Sequence, residues 1–274
     1  MTSFSLNISP CPNDTFSFYH LLHSESALDL KVTYEDVQAL NSRAINCDGD
    51  ILKISFATYP LIQKDYILLT SGAALGKGCG PLLIGREPLT NDQLVNAKIA
   101  VPGMNTTAFK LFKRFFPNAD NVVSVSYEKI IDAIISKEAD AGVIIHENRF
   151  TYKTHDLELI GDLGQMWENH CSSLLPLGGI AIKRNIGTKV GLAISEALRK
   201  SIEWAFINKD HKELNSFIVK YAQEMDKEVM HNHIDLYVNN HSIDLGEEGK
   251  QAVRNLLTDE LDLSIPHFID ELVS

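Results

Sequence analysis

His146 stands directly after the apolar run Ala141-Gly142-Val143-Ile144-Ile145, where a buried strand would end. An imidazole at that place could act as a general base, because its ordinary pKa lies near neutrality. A hydrogen-bonded core histidine is the plainer alternative, and the sequence leaves both open. Val101-Pro102-Gly103-Met104-Asn105-Thr106-Thr107-Ala108 leads from another apolar run into an amphipathic stretch. The N–H groups of such a helix start, with the Thr106 and Thr107 hydroxyls, can hold a carboxylate or phosphate. Ordinary threonine capping reads equally well. Lys53-Ile54-Ser55 closes a third run and brings a cation and a hydroxyl to either side of Ile54. A solvated lysine is the default reading there. Ser9-Pro10-Cys11-Pro12-Asn13-Asp14-Thr15-Phe16 follows a fourth run. Its prolines fix the backbone, and Asn13 or Asp14 can cap the helix that comes next.

Other chemistries are excluded by spacing. The glycine-dense segment Ser71–Pro81 has three residues rather than four between Gly72 and a Gly-Lys pair, and Gly78 follows Lys77 in place of Ser or Thr. It is therefore no phosphate loop, and Gly76-x-Gly78-x-Gly80 runs into Pro81 instead of a helix. A zinc-protease HExxH would need histidine at 150, where Phe150 stands. Glu147 reads as a helix-start carboxylate. His231-x-His233 forms no ligand set, and no Ser-His-Asp or Cys-His arrangement is visible. Cys11, Cys47, Cys79 and Cys171 fit no zinc or redox spacing, so free thiols in a reducing compartment are expected.

These candidates need strands that end beside one another. Phe4–Ile8, Lys31–Glu35, Ile51–Phe56, Tyr66–Thr70, Pro81–Gly85, Lys98–Val101, Val122–Val125, Ala141–Ile145 and Gly178–Lys183 read as strands. Helical periodicity recurs between them, as in Ala108, Leu111, Phe112 and Phe115, or Tyr127, Ile130, Ile131 and Ile134. Alternation of this kind implies an α/β fold with mostly parallel sheets. The last third is helical, with the longest stripe running from Val190 to Phe206. Two crossing segments, at 86–90 and 172–179, divide the chain into a discontinuous lobe, 1–88 and 178–274, and an inserted lobe, 89–177. Ligands of open α/β sheets bind outside the carboxyl ends of the strands, so a cleft between two lobes is expected. Ser9, Asn13, Asp14, Gly76 and Gly78 are candidates for lining it.

Of the 274 residues, 45% are hydrophobic, enough for a sizeable core without staples. The formal net charge of −11 argues against nucleic acid or an anionic membrane as partner, since both require a basic footprint. The first residues show no basic, apolar export signal, and no run approaches 18 apolar residues. A cytoplasmic protein with a small-molecule anion as ligand, a carboxylate or a phosphate, is the expectation, and a homo-oligomer is compatible with it.

Taken together, several of these segments resemble the 1,4-dihydroxy-6-naphthoate synthase (cyclic dehypoxanthinyl futalosine lyase) family of the futalosine route to menaquinone. Ser9-Pro10-Cys11-Pro12-Asn13-Asp14-Thr15-Phe16 is similar to its opening signature. The Gly76-x-Gly78-x-Gly80-Pro81 loop, Val101-Pro102-Gly103-x-x-Thr106-Thr107-Ala108 and Ile144-Ile145-His146-Glu147-x-Arg149-Phe150-Thr151-Tyr152 continue the likeness. Leu175-Pro176-Leu177-Gly178 and Tyr237-Val238-Asn239 extend it towards the C-terminus. The resemblance implies a periplasmic-binding-protein-like (type II) fold of two α/β lobes, used as a carbon–carbon lyase. It implies His146 as catalytic base, with Lys53, Ile54, Ser55, Thr106 and Thr107 as substrate contacts. No metal or organic cofactor is implied. Chorismate dehydratase, of the same pathway and fold, is the nearest enzymatic alternative. A non-catalytic small-carboxylate binding protein is the alternative of another class.

Overall fold

The computed structural model describes residues 3–24, 28–222 and 226–273. Met1, Thr2 and Ser274, at the limits of the expected first lobe, lie outside the described residues. Eleven strands are found among the described residues: β1 (Ser3–Ile8), β2 (Asp29–Tyr34), β3 (Ile51–Ser55), β4 (Tyr66–Leu68), β5 (Ala74–Gly76), β6 (Leu82–Gly85), β7 (Ile99–Val101), β8 (Val122–Ser124), β9 (Ala141–Ile144), β10 (Glu158–Asp162) and β11 (Leu175–Lys183). They are distributed over two compact units, Met1–Gly76 with Pro176–Ser274, and Lys77–Leu175.

In the first unit the strand order is β2-β1-β3-β11-β4, with β5 on β11. β1 lies parallel to β2 and β3, whereas β11 runs antiparallel to β3 and β4. Leu6, Ile8, Ile51, Ile67, Ile180 and Ile182 pack with Phe16 and Phe18 of the Pro12–His23 helix and with Ile194, Leu198 and Ile202 of the Thr188–Ile207 helix. Of the long apolar stripe read from the sequence, Ile194, Leu198, Ile202 and Ala205 are buried and Val190, Ala197 and Phe206 partly so, whereas Ala193 is exposed.

The second unit has the order β10-β6-β9-β7-β8. β7 is parallel to both β8 and β9, and β6 is antiparallel to β9 and β10. Ile84, Ala100 and Ile144 from the sheet meet Tyr127, Ile130, Ile131 and Ile134, the residues predicted to share a helical face. Their helical arrangement begins as a 3-10 turn, Tyr127–Lys129, and continues as the helix Ile130–Ile135.

Four expectations are corrected. The sheets are mixed rather than mostly parallel: neither β6 nor β11 follows a helix of its own unit, so no βαβ crossover imposes parallel pairing. The first division falls at Gly76/Lys77, not at 88/89, because β6 hydrogen-bonds with β9 and β10 of the second unit. The second falls at Leu175/Pro176, where 177/178 was expected, and β11 begins inside the segment read as a crossing. The Pro12–His23 helix is also not capped by Asn13 or Asp14. Its N-cap is Cys11, without a side-chain cap bond, and Pro12 takes the first helical position, where its missing N–H costs nothing. By contrast Asp36 caps the Val37–Ile45 helix, accepting from the N–H groups of Gln38 and Ala39 at 2.8 and 3.1 Å.

Within the second unit, Gly80 and Gly164 pass with their backbones in contact. A Cβ on Gly80 would lie 2.2 Å from the Gly164 Cα, a backbone atom that cannot rotate away. Gly80→Ala is therefore expected to cost about 1–3 kcal/mol through forced separation of the two segments. Urea unfolding checks it: an unchanged midpoint would show that this approach is not tight.

Candidate active site

In the first unit, chemistry collects where β1 ends beside β3. Lys53, in the middle of β3, is only 8% exposed, so the solvated-lysine reading is corrected. Its ammonium donates to Asp14 Oδ1 at 2.7 Å and to the Gly72 carbonyl at 3.1 Å. Gly72 turns that carbonyl inward with φ +83°, and a Cβ there would strike Leu198 and Ile180. Asp14 is held from its other side by Ser9, whose hydroxyl donates to Oδ2 at 2.7 Å and whose N–H donates at 3.3 Å. Asn13 adds a bond from Nδ2 to Asp14 Oδ1 at 2.9 Å. Burial of both charges is tolerable because the pair is close and the carboxylate is richly hydrogen-bonded. Ser55 closes β3, where the buried Asn41 accepts from its N–H at 2.8 Å and donates to its hydroxyl oxygen at 3.1 Å. Ile54, between them, is wholly buried in the core of the sheet.

In the second unit, adjacent parallel strands β7 and β9 end at two loops. After β7, Thr106 is the N-cap of the Thr107–Phe115 helix. Its hydroxyl accepts from the Phe109 N–H at 3.2 Å and donates to the Gly103 carbonyl at 2.8 Å. Thr107 is the first helical residue and is buried. This is the part of a helix whose N–H groups favour an anion. After β9, His146 adopts φ +56°, a left-handed conformation uncommon outside glycine and found most often among Asn, Asp and His. Such a backbone costs on the order of 1 kcal/mol and persists only where its surroundings hold it. They do so here: the Tyr127 ring meets the imidazole edge-on with centroids 4.9 Å apart. Arg149 reaches the Gly80 carbonyl and Asp162, anchoring the short helix that follows. Glu147 sits at the start of that helix but makes no capping bond; it accepts from the Tyr127 hydroxyl at 3.5 Å.

The structure thus joins Lys53 with Ser9, Asn13 and Asp14, and puts Thr106, Thr107 and His146 at neighbouring strand ends. Gly76 closes β5, and Gly78 donates its N–H to Glu168 Oε1 at 2.6 Å. Met104, in the loop that carries the threonines, is exposed. Four further residues touch these groups in places for which the sequence did not single them out: in the first unit Asn41 at Ser55 and His233 at Asn13, and in the second Tyr127 and Arg149 at His146. Arg149 at least lay within the His146 segment; the others are distant in the chain and carry no local signal. All four cysteines are free thiols, and burial pushes the Cys79 thiol up to about 12, far from a reactive thiolate. Among the described residues, no three His, Cys, Asp or Glu side chains are grouped to hold a metal ion. No helix among them is long and apolar enough to cross a membrane.

The architecture is found in solved structures. A protein from Archaeoglobus fulgidus superposes with a TM-score of 0.87 at 30% identity, over 93% of this chain and 95% of its own. The alkanesulfonate-binding protein SsuA from Xanthomonas axonopodis matches with 0.68 at 11% identity, over 95% of this chain and 93% of its own. A Candida albicans protein described as having the generic periplasmic-binding-protein fold also scores 0.68, at 12% identity, over 95% of this chain and 90% of its own. The fold is accordingly periplasmic-binding-protein-like, with two α/β lobes. A 1,4-dihydroxy-6-naphthoate synthase from Thermus thermophilus is 40% identical over 261 residues, 94% of each chain. Another so named, from Streptomyces coelicolor, is 38% identical over 257 residues, 91% of this chain and 90% of its own. The family described as menaquinone biosynthesis matches residues 4–259. A likeness of this extent, on a sheet framework that sets His146 and two threonines at adjacent strand ends, makes this chain a member of the 1,4-dihydroxy-6-naphthoate synthase family of menaquinone biosynthesis.

Proposed function

We propose that this chain is a cytoplasmic carbon–carbon lyase that converts cyclic dehypoxanthinyl futalosine to 1,4-dihydroxy-6-naphthoate, with His146 as general base. The observation that carries the reading is the left-handed backbone of His146 at the end of β9, beside the strand end that bears Thr106 and Thr107. An imidazole braced at the end of a buried strand, beside a helix start that can hold an anion, is what a positioned base requires.

The imidazole enters the reaction neutral and accepts a proton from the sugar-derived part of the substrate. The electron pair that the proton leaves behind forms a π bond in the ribose-derived fragment as a carbon–carbon bond breaks, the pair of that bond passes into the ring that becomes the naphthoate, and the fragment leaves. Aromatisation to the naphthoate makes the step favourable. Thr107 and the helix start hold a substrate carboxylate and so fix the distance of the reacting carbon from His146. Thr106 contributes by shaping this loop, since its hydroxyl already serves as cap and loop bond.

Lys53, Ile54 and Ser55 serve as further substrate contacts. The ammonium has three N–H donors, of which Asp14 and Gly72 take two, leaving one for an oxygen of the ligand. Ser55 accepts from Asn41 at its oxygen and keeps its O–H to donate. Ile54 holds the two in register within β3. Ser9, Asn13 and Asp14 shape the surroundings of Lys53, and Gly76 in the first unit and Gly78 in the second are further lining residues.

Product analysis on purified protein tests the reaction. Naphthoate is expected from the parent with cyclic dehypoxanthinyl futalosine, and none from His146→Ala, which should fold and still bind substrate. Robust turnover by that variant would remove His146 as an essential base. Turnover of chorismate instead would identify a dehydratase, and binding without turnover a carboxylate-binding protein. Thr107→Val should raise KM about tenfold with little change in kcat, the worth of one hydrogen bond to a charged group. Unchanged kinetics would take Thr107 out of the site. Lys53→Met leaves Asp14 buried without its cation and should cost about 3–5 kcal/mol in urea unfolding. Adding Asp14→Asn should recover much of that loss while KM stays raised. A KM that returns with stability would make the lysine purely structural.

A further inference from the structure

The Asp14 carboxylate has about four acceptor positions, and each has a donor: the Ser9 N–H, the Ser9 hydroxyl, Asn13 Nδ2 and Lys53 Nζ. It therefore offers nothing to a ligand or to a proton in transfer. Saturation also fixes Asn13. Beside an ionised carboxylate, only the NH₂ end of its amide can point at Asp14, so its oxygen must point the other way. There it meets Nε2 of His233, at 3.0 Å, on the Lys227–Tyr237 helix. A carbonyl oxygen only accepts, so that ring nitrogen must carry a proton. His233 is wholly buried, and its ring lies against Tyr237 with centroids 4.6 Å apart.

We infer that His233, as its Nε2–H tautomer, is a positioning residue for substrate binding, acting through Asn13 and Asp14 on the Lys53 ammonium. The chain of donors runs one way, from His233 to the Asn13 carbonyl and from the Asn13 amide to Asp14. It orients the carboxylate that pulls Lys53 away from solvent and aims its remaining N–H. Removal of the histidine donor frees the Asn13 amide to rotate, and Asp14 then loses one of the bonds that hold its plane. Lys53 follows Asp14. Asn13 and Asp14 thereby act behind the lysine, not on the ligand. This rests on the proposed contact between Lys53 and substrate, and it adds a residue some 180 positions away in the chain to that contact.

Two measurements on the full chain test it. The ¹⁵N spectrum of the imidazoles in the parent protein should show His233 protonated at Nε2; an unprotonated Nε2 overturns the inference whatever any variant does. Steady-state kinetics with cyclic dehypoxanthinyl futalosine should show KM about tenfold higher in His233→Ala, with kcat nearly unchanged. His233→Gln, whose amide N–H can reach the place of Nε2, should restore KM. An unchanged KM in a folded alanine variant, or a fall in kcat without a change in KM, would overturn the positioning role. Failure of the glutamine to rescue would do the same. If the parent does not turn the substrate over, the lyase reading fails, while the tautomer still decides whether the chain of donors exists.

Discussion

A lysine in the middle of a sheet strand, buried against a carboxylate from another element, is the constraint around which the first unit is organised. Desolvating an ammonium and a carboxylate costs several kcal/mol each, and proximity alone does not offset it. The remainder comes from geometry that four separate segments must supply together. β1 has to end where Ser9 can reach Asp14, and the helix has to start at Pro12 so that Asp14 faces inward. Gly72 has to turn its carbonyl towards Nζ, which its positive φ permits. The parallel pairing of β1 with β3 sets the height at which these groups meet. A polar cluster of this kind tolerates no partial assembly, because each missing donor leaves a buried charge short of a bond.

The second unit solves a different problem, which is to hold a backbone in a conformation it would not choose. β9 is buried up to Ile144, and the chain then turns through His146 into a helix of four residues. A helix that short has little stability of its own. Its anchorage comes from side chains instead: Asn148 donates to the Tyr127 carbonyl at 3.1 Å, and Arg149 binds Gly80 and Asp162. Tyr127 serves twice, as a wall for the imidazole and as part of the core under β9. The proposed base and the hydrophobic core therefore share a residue, and the position of one depends on the packing of the other.

Much of this was legible in the sequence, and the limits of legibility have physical causes. Apolar runs located β1, β3, β7, β9 and β11, since buried strands must be apolar whatever they pair with. The same runs carry no direction, so the antiparallel placement of β6 and β11 was invisible. β10 was missed because Glu158-Leu159-Ile160-Gly161-Asp162 is an edge strand of low burial with acidic ends. β5 was hidden within the glycine-rich segment. At the sites, motif order indicated which residues to watch but not what each one touches. Lys53 and Asp14 are 39 positions apart, so only the folded chain could turn a solvated lysine into a buried ion pair. Asp14 was read as a helix cap because its type and place allow one; the competing bond to Lys53 prevailed.

An acidic protein proposed to take an acidic substrate presents an apparent conflict, and its resolution lies in distance. At physiological ionic strength, surface charges beyond about 8 Å are largely screened. The formal charge of −11 is spread over a whole chain, so little of it is felt at any one place. What would act on a carboxylate is the donors within its reach, and each unit offers its own: in the first a lysine whose own charge is poorly solvated, in the second the start of a helix. Binding proteins with this architecture can stop at such donors. Catalysis needs one more group, able to take a proton and held still while it does so. In the proposed reading, His146 at the turn after β9 is that group.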